Sequence, residues 1–160
     1  MQKTLWGATL KLWVFGFFKI PMIFWLRPKI LELNNERAVI KIALRRRTKN
    51  HLNSMYFGVL SVGADIAGGI QMMHLLKKDI SKISFVFKDF QAEFLKRPEA
   101  DVYFTCAEGA LVANTIKKAL ESHDRENVQV HVIATTPSIS GDEPVARFML
   151  TLSMKERAAK

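Results

Sequence analysis

Asp65 is the only carboxylate between Lys49 and Lys77, and it stands among small and apolar side chains. Burial in such company disfavours the charged form, so its pKa should lie above the ordinary carboxylate range, which suits a general base or nucleophile that stays partly ionised. Phe57 and Gly58 lie near the start of the helix predicted around Asp65. Backbone N–H groups and the dipole at a helix N-terminus can polarise a carbonyl oxygen there, whatever the side chains. Asn50 could hold a water or that carbonyl; the other reading makes it a turn or cap residue. Asp65 likewise has a structural alternative, a hydrogen bond to a neighbouring strand or to a second subunit.

Arg45, Arg46, Arg47 and Lys49 lie just upstream and could meet phosphate groups. If the preceding strand continues through them, alternation sends Arg45 and Arg47 to one face and Arg46 to the other, and a solvated sheet edge is the competing reading. Lys96 and Arg97, beside Pro98, form a second candidate phosphate contact. Of the histidines, His51 is near the site, His74 is on the central helix, His123 is in a polar turn, and His131 faces away from Val130 and Val132. No metal-ligand spacing occurs, so no metal and no resident cofactor are expected. Cys106 shares parity with Val102 and Phe104 and reads as a small buried hydrophobe.

The elements that must position these residues follow from periodicity. Residues 5–26 are strongly apolar, but Lys11, Lys19 and Pro21 leave no uncharged run longer than seven, too short for a spanning helix. No small-residue cleavage site follows that would suit a secretory signal. A helix from Thr4 to Phe18 ended by Pro21 remains, with Trp6, Leu10, Trp13 and Phe17 in one stripe expected to cover the core or a dimer partner. Contact with a membrane or with acyl chains is the lesser alternative.

KILEL and AVIKIALR flank an Asn-Asn turn and read as a hairpin. A helix then starts near Ser54 and carries Gly58, Gly63, Gly68 and Gly69, each costing about 1 kcal/mol relative to alanine. Close packing on several sides, as when a sheet wraps a central helix, would offset that cost. Ile83, Phe85 and Phe87 share one parity and Phe90, Ala92 and Phe94 the other, which places a β-bulge near Lys88 and Asp89. A strand at 102–106, a helix at 109–122 and a final hairpin with a turn region from Pro137 to Pro144 complete an α+β domain with an antiparallel sheet. The division is an N-terminal amphipathic helical extension at 1–27 and the main domain at 28–156.

The formal charge is +9, and it is uneven: residues 1–49 hold eleven basic side chains and two acids, and the rest of the chain is balanced. No helix-turn-helix, zinc or RNA-binding signature accompanies the basic third, so nucleic acid is not expected as a partner. One cysteine permits no internal disulfide and points to a reducing, cytoplasmic setting.

The element order resembles the hot-dog fold, in which a curved antiparallel sheet wraps a central helix. Locally the chain is similar to the PaaI-like acyl-CoA thioesterases, whose helix is introduced by an Asn, then His-Gly-Gly six residues on, then an Asp nine residues past the His. Asn50, Tyr56-Phe57-Gly58 and Asp65 stand at those places, and FLKRPEADVYF, with Pro98, matches the family's aromatic strand ending in a proline. The likeness covers roughly residues 28–155 and suggests an uncharacterised subfamily. It departs at Tyr56 and Phe57, and at Phe87 or Lys88, where some relatives place a catalytic Ser or Thr.

The resemblance implies a homodimer with two equivalent interface sites, or a tetramer. Acyl thioesters of coenzyme A or acyl carrier protein would be hydrolysed by Asp65, with Asn50 and the Phe57 and Gly58 amides. Tyr56, His51, Arg45, Arg47, Lys49, Lys96 and Arg97 would contact substrate, and coenzyme A would enter only as part of it. The departures narrow the pocket and remove polar groups, which suits the alternative of a non-catalytic acyl-binding or structural hot-dog protein.

Overall fold

The computed structural model describes residues 4–76 and 80–157. The elements run α1 (Trp6–Lys19), α2 (Pro21–Leu26), β1 (Lys29–Leu33), β2 (Ala38–Ile42), α3 (Phe57–Leu76), β3 (Ile83–Phe94), β4 (Val102–Cys106), α4 (Gly109–Ser122), β5 (Glu126–Thr135), α5 (Pro137–Ser140) and β6 (Pro144–Glu156). All six strands join one antiparallel sheet in the order β1-β2-β4-β5-β6-β3. The sheet holds α3 against β2, β4, β5 and β6, with α4 beside it. This is the hot-dog arrangement that the sequence implies.

Close packing does offset the glycines where it is tightest. A Cβ on Gly63 would stand 2.3 Å from a ring carbon of the fully buried Phe104, so only glycine lets the helix sit this close to β4. α3 is long and apolar enough to cross a membrane, but its buried residues recur on every side, as in a core helix wrapped by a sheet.

The bulge falls where parity predicts it. The β3–β6 register passes from Phe87↔Leu152 to Asp89↔Thr151, leaving Lys88 without an opposite residue. The Thr151 hydroxyl donates to the Asp89 carboxylate at 2.8 Å and so ties the two strands together beside the bulge.

Three expectations need correction. β2 ends at Ile42, and Arg46–Thr48 form a 3-10 turn, so Arg45, Arg46 and Arg47 do not alternate as on a strand. The buried Thr48 hydroxyl holds this turn, accepting the Arg45 N–H at 2.8 Å and donating to the Ala43 carbonyl at 2.9 Å. The Pro137 region is a short helix with Pro137 in its first turn, where proline's missing N–H costs nothing.

The third correction concerns α1. The helix covers the core with Thr9, Leu12 and Gly16, whereas Trp6, Leu10 and Phe17 of the predicted stripe point to solvent. Hydrogen bonds fix this rotation: the Ile30 N–H donates to the Thr9 hydroxyl (3.0 Å), the Leu5 N–H to the Ile30 carbonyl (2.8 Å), and the Trp13 indole N–H to the Pro28 carbonyl (2.7 Å). Gly16 lets α2 fold back closely, since a Cβ there would meet the Phe24 backbone nitrogen at 2.8 Å.

Candidate functional site

α3 begins at Phe57, three residues later than its sequence suggests, because the preceding loop is held otherwise. The Asn50 side-chain oxygen accepts the Leu52 N–H (2.9 Å), the Ser54 N–H (3.2 Å) and the Ser54 hydroxyl (3.2 Å). Its carbonyl oxygen therefore organises the loop, the turn role weighed from the sequence. The Met55 N–H donates to the Pro98 carbonyl and the Tyr56 N–H to the Thr48 carbonyl, both at 2.9 Å. These bonds join the basic loop at 45–49 to the Lys96–Pro98 loop and deliver the chain to the helix start.

The first turn of α3 directs its N–H groups outward. The Val59 and Leu60 N–H groups return to the Tyr56 carbonyl. Those of Phe57 and Gly58 have no acceptor among the described residues, so they form a positive helix end free to receive an oxyanion. The Tyr56 ring lies against Gly58, where a Cβ would approach it to 2.6 Å. The Phe57 ring, 58% exposed, packs between Tyr56 and Phe94 at centroid distances of 4.7 and 6.3 Å.

Asp65 lies two turns further along on the face of Gly58 and Ser61. It is partly buried, and burial pushes its pKa above the ordinary carboxylate value. Its carboxylate has no hydrogen-bond or ion-pair partner among the described residues. It opens on two apolar clefts. One, of about 300 Å³, is lined by Ser61, Val62, Phe87, Phe90 and Leu150. The other, of about 90 Å³, passes Ile66 and Gly69 to Leu12 and Phe15 of α1 and to Ile20 and Ile23. Leu12, Phe15, Ile70 and Met73 also wall a larger cleft of about 580 Å³ beneath α1, which ends at Lys11 and His74. A carboxylate at the mouth of apolar clefts can activate water beside a bound apolar chain.

Phe87, rather than Lys88, is the β3 residue against Asp65; Lys88 is exposed in the bulge. Arg45, Arg47, Lys49, Lys96 and Arg97 are all exposed near the joined loops, and Lys96 is paired with Glu143 at 2.5 Å. His51 is exposed in the turn made by Asn50. Cys106 is fully buried, its thiol pushed up to about 11 by burial. His131 and His123 are exposed and paired with Glu108 and Glu156, respectively. Among the described residues no cluster of three or more His, Cys, Asp or Glu is placed to hold a metal.

Sequence reasoning missed the contribution of α1 and α2 to the clefts. The signal was present in Leu12 and Phe15, which lie off the Trp6–Leu10–Phe17 stripe and so mark a second apolar face.

A family model described as "Domain of unknown function (DUF4442)" matches residues 9–153. No curated protein sequence matches the chain. Among solved structures, a Pseudomonas aeruginosa protein described as "Probable Thioesterase" superposes with a TM-score of 0.75 at 16% identity, over 93% of this chain and 96% of that one. A Chlorobaculum tepidum protein of unknown function reaches 0.80 at 11% identity, over 98% and 99%. A Haemophilus influenzae thioesterase gives 0.66 at 14% identity, over 89% and 88%. At these identities the likeness establishes the hot-dog fold.

Proposed function

The chain belongs to the DUF4442 family, and from that footing we propose that it hydrolyses acyl thioesters of coenzyme A or acyl carrier protein. The observation that carries this reading is Asp65: an unpartnered, partly buried carboxylate with a raised pKa, at the mouth of apolar clefts and on the helix face that begins with free N–H groups. Asp65 would deprotonate a water that attacks the thioester carbon, or would attack that carbon itself to form an acyl anhydride that water then hydrolyses. The Phe57 and Gly58 N–H groups would bind the oxyanion, and the C–S bond would break to release free acid and thiol. The acyl chain would lie in the apolar clefts toward α1, and the exposed cations at 45–49 and 96–97 would face the phosphates of the carrier. The thioesterases among the structural relatives support this reading.

A homodimer supplies what one chain lacks. Asp65 and Gly58 are seven residues apart, about 10.5 Å along a helix, too far for both to reach one thioester carbonyl. β3 ends the sheet with an unpaired edge and the exposed side chains Val86, Phe90 and Phe94, which suits pairing with the β3 of a second copy. Such a dimer would bring Asp65 of one copy toward the helix start of the other.

The Tyr56 ring against Gly58 favours the second reading, an acyl-binding protein without turnover, because it narrows the space beside the helix start. Thiol release from a panel of acyl-CoAs of different chain length separates the two. Hydrolysis that falls about 10²–10⁴-fold in Asp65→Asn supports the first. Turnover unchanged by that substitution removes Asp65 from the chemistry, and tight acyl-CoA binding without thiol release at any length establishes the second.

A further inference from the structure

The outer face of the α1–α2 hairpin is apolar, aromatic and open to solvent. Trp6, Leu10, Val14, Phe17 and Phe18 of α1 and Met22 and Trp25 of α2 are exposed, the two extremes being Val14 at 50% and Phe18 at 74%. Rotation of α1 cannot hide them, because Thr9, Trp13 and Leu5 are hydrogen-bonded to the β1 region and Gly16 is locked against α2. The segment that builds it carries only one sign of charge. Residues 4–29 contain Lys11, Lys19, Arg27 and Lys29 and no acid. Two of these cations rest on the aromatic rings: Arg27 lies 4.8 Å from the Trp13 centroid and 4.0 Å from that of Phe24, and the Lys29 ammonium 5.5 Å from that of Trp6.

We propose that this hairpin docks the protein on the surface of a bilayer containing anionic phospholipid. Charge decides between the available occupants. A second copy of the chain using the same patch would bring four cations against four, with no acid from these helices between them. An anionic lipid surface answers both features at once: headgroup phosphates meet Lys11, Lys19, Arg27 and Lys29, and the Trp, Phe, Leu and Met side chains enter the headgroup–acyl boundary that amphipathic helices occupy. The inference is independent of thioester hydrolysis. With that activity, the helix that faces lipid on its outside would also roof the acyl cleft through Leu12 and Phe15.

The three tryptophans, Trp6, Trp13 and Trp25, all fall in this segment, so intrinsic fluorescence reports on it alone. The test mixes the full chain with vesicles of phosphatidylcholine, with and without phosphatidylglycerol, and follows co-sedimentation and tryptophan emission. Expected are a blue shift and sedimentation with the anionic vesicles, weakened by salt, and a loss of affinity of roughly tenfold or more in Lys11→Glu/Lys19→Glu. Phe18→Ser/Trp25→Ser, both at exposed positions, should abolish binding while the circular dichroism spectrum stays unchanged. Absence of binding to anionic vesicles overturns the proposal. So does a fall in association state caused by Phe18→Ser/Trp25→Ser without lipid, which would make the patch an interface between copies.

Discussion

Gly58 and Asp65 stand on one face of α3 two turns apart, the first offering a free N–H at the helix start and the second an unpartnered carboxylate over apolar space. Seven residues return a helix to nearly the same direction, so both groups look the same way while remaining about 10.5 Å apart along the axis.

This separation predicts complementation between inactive chains. Gly58→Pro removes the N–H from the first turn of α3, where proline is tolerated. Mixed with Asp65→Asn after co-refolding, it should restore about one quarter of wild-type thioesterase turnover, because about half of the dimers are mixed and each has one intact site. If both groups served the same carbonyl from one chain, the mixture would stay inactive.

Asp65 should lower stability at neutral pH. Its folded pKa is raised by burial, so the folded state binds more protons than the unfolded one between the two pKa values, and stability falls as pH rises through the folded value. Asp65→Asn should therefore have the higher Tm near pH 7, with the difference closing below about pH 3.9, the unfolded pKa. A Tm for Asp65→Asn below wild type at pH 7 would contradict this. The acid limb of any pH–rate profile should lie above the ordinary carboxylate range and vanish in the same variant.

Two α3 glycines should respond in opposite directions to alanine. At Gly63 the new Cβ meets the Phe104 ring at 2.3 Å, and overpacking should cost about 1–3 kcal/mol. At Gly69 the nearest atom is 3.7 Å away, so the gain in helix propensity, up to about 1 kcal/mol, should remain. Denaturant midpoints measure both; equal effects would mean that backbone freedom rather than contact sets the cost.

Thr9→Val keeps shape and removes the acceptor of the buried Ile30 N–H. An orphaned donor at this junction should cost about 1–3 kcal/mol in urea unfolding. A neutral result would show that α1 is held by its apolar contacts alone.

Cys106 should resist thiol reagents in the folded protein at pH 8, since its side chain is fully buried and its pKa is pushed up to about 11. Labelling should appear only with denaturant, in step with unfolding. Rapid labelling of the folded chain would place the sulfur at a surface.

The sequence by itself determined most of the strands, the two longer helices after residue 50 and the peculiarity of Asp65. Alternation showed the bulge at Phe87–Asp89 because one slipped residue reverses every later side chain, and the 109–122 helix was legible from its charged amphipathic pattern. Four glycines in one helix announced close neighbours, and a lone carboxylate in apolar sequence announced a raised pKa. Neither could name its surroundings, since Phe104 and Phe87 reach α3 only through sheet pairing. Tertiary structure alone decided that Arg45–Arg47 leave the strand, that the Asn50 oxygen organises a turn, and which side of α1 faces inward. That last choice lay outside the reach of periodicity, because α1 is apolar on two faces and the larger stripe, Trp6–Leu10–Phe17, is the exposed one. Thr9 and Gly16, small and only weakly apolar, won the interior through a hydrogen bond and a close approach, which a hydrophobic pattern does not record.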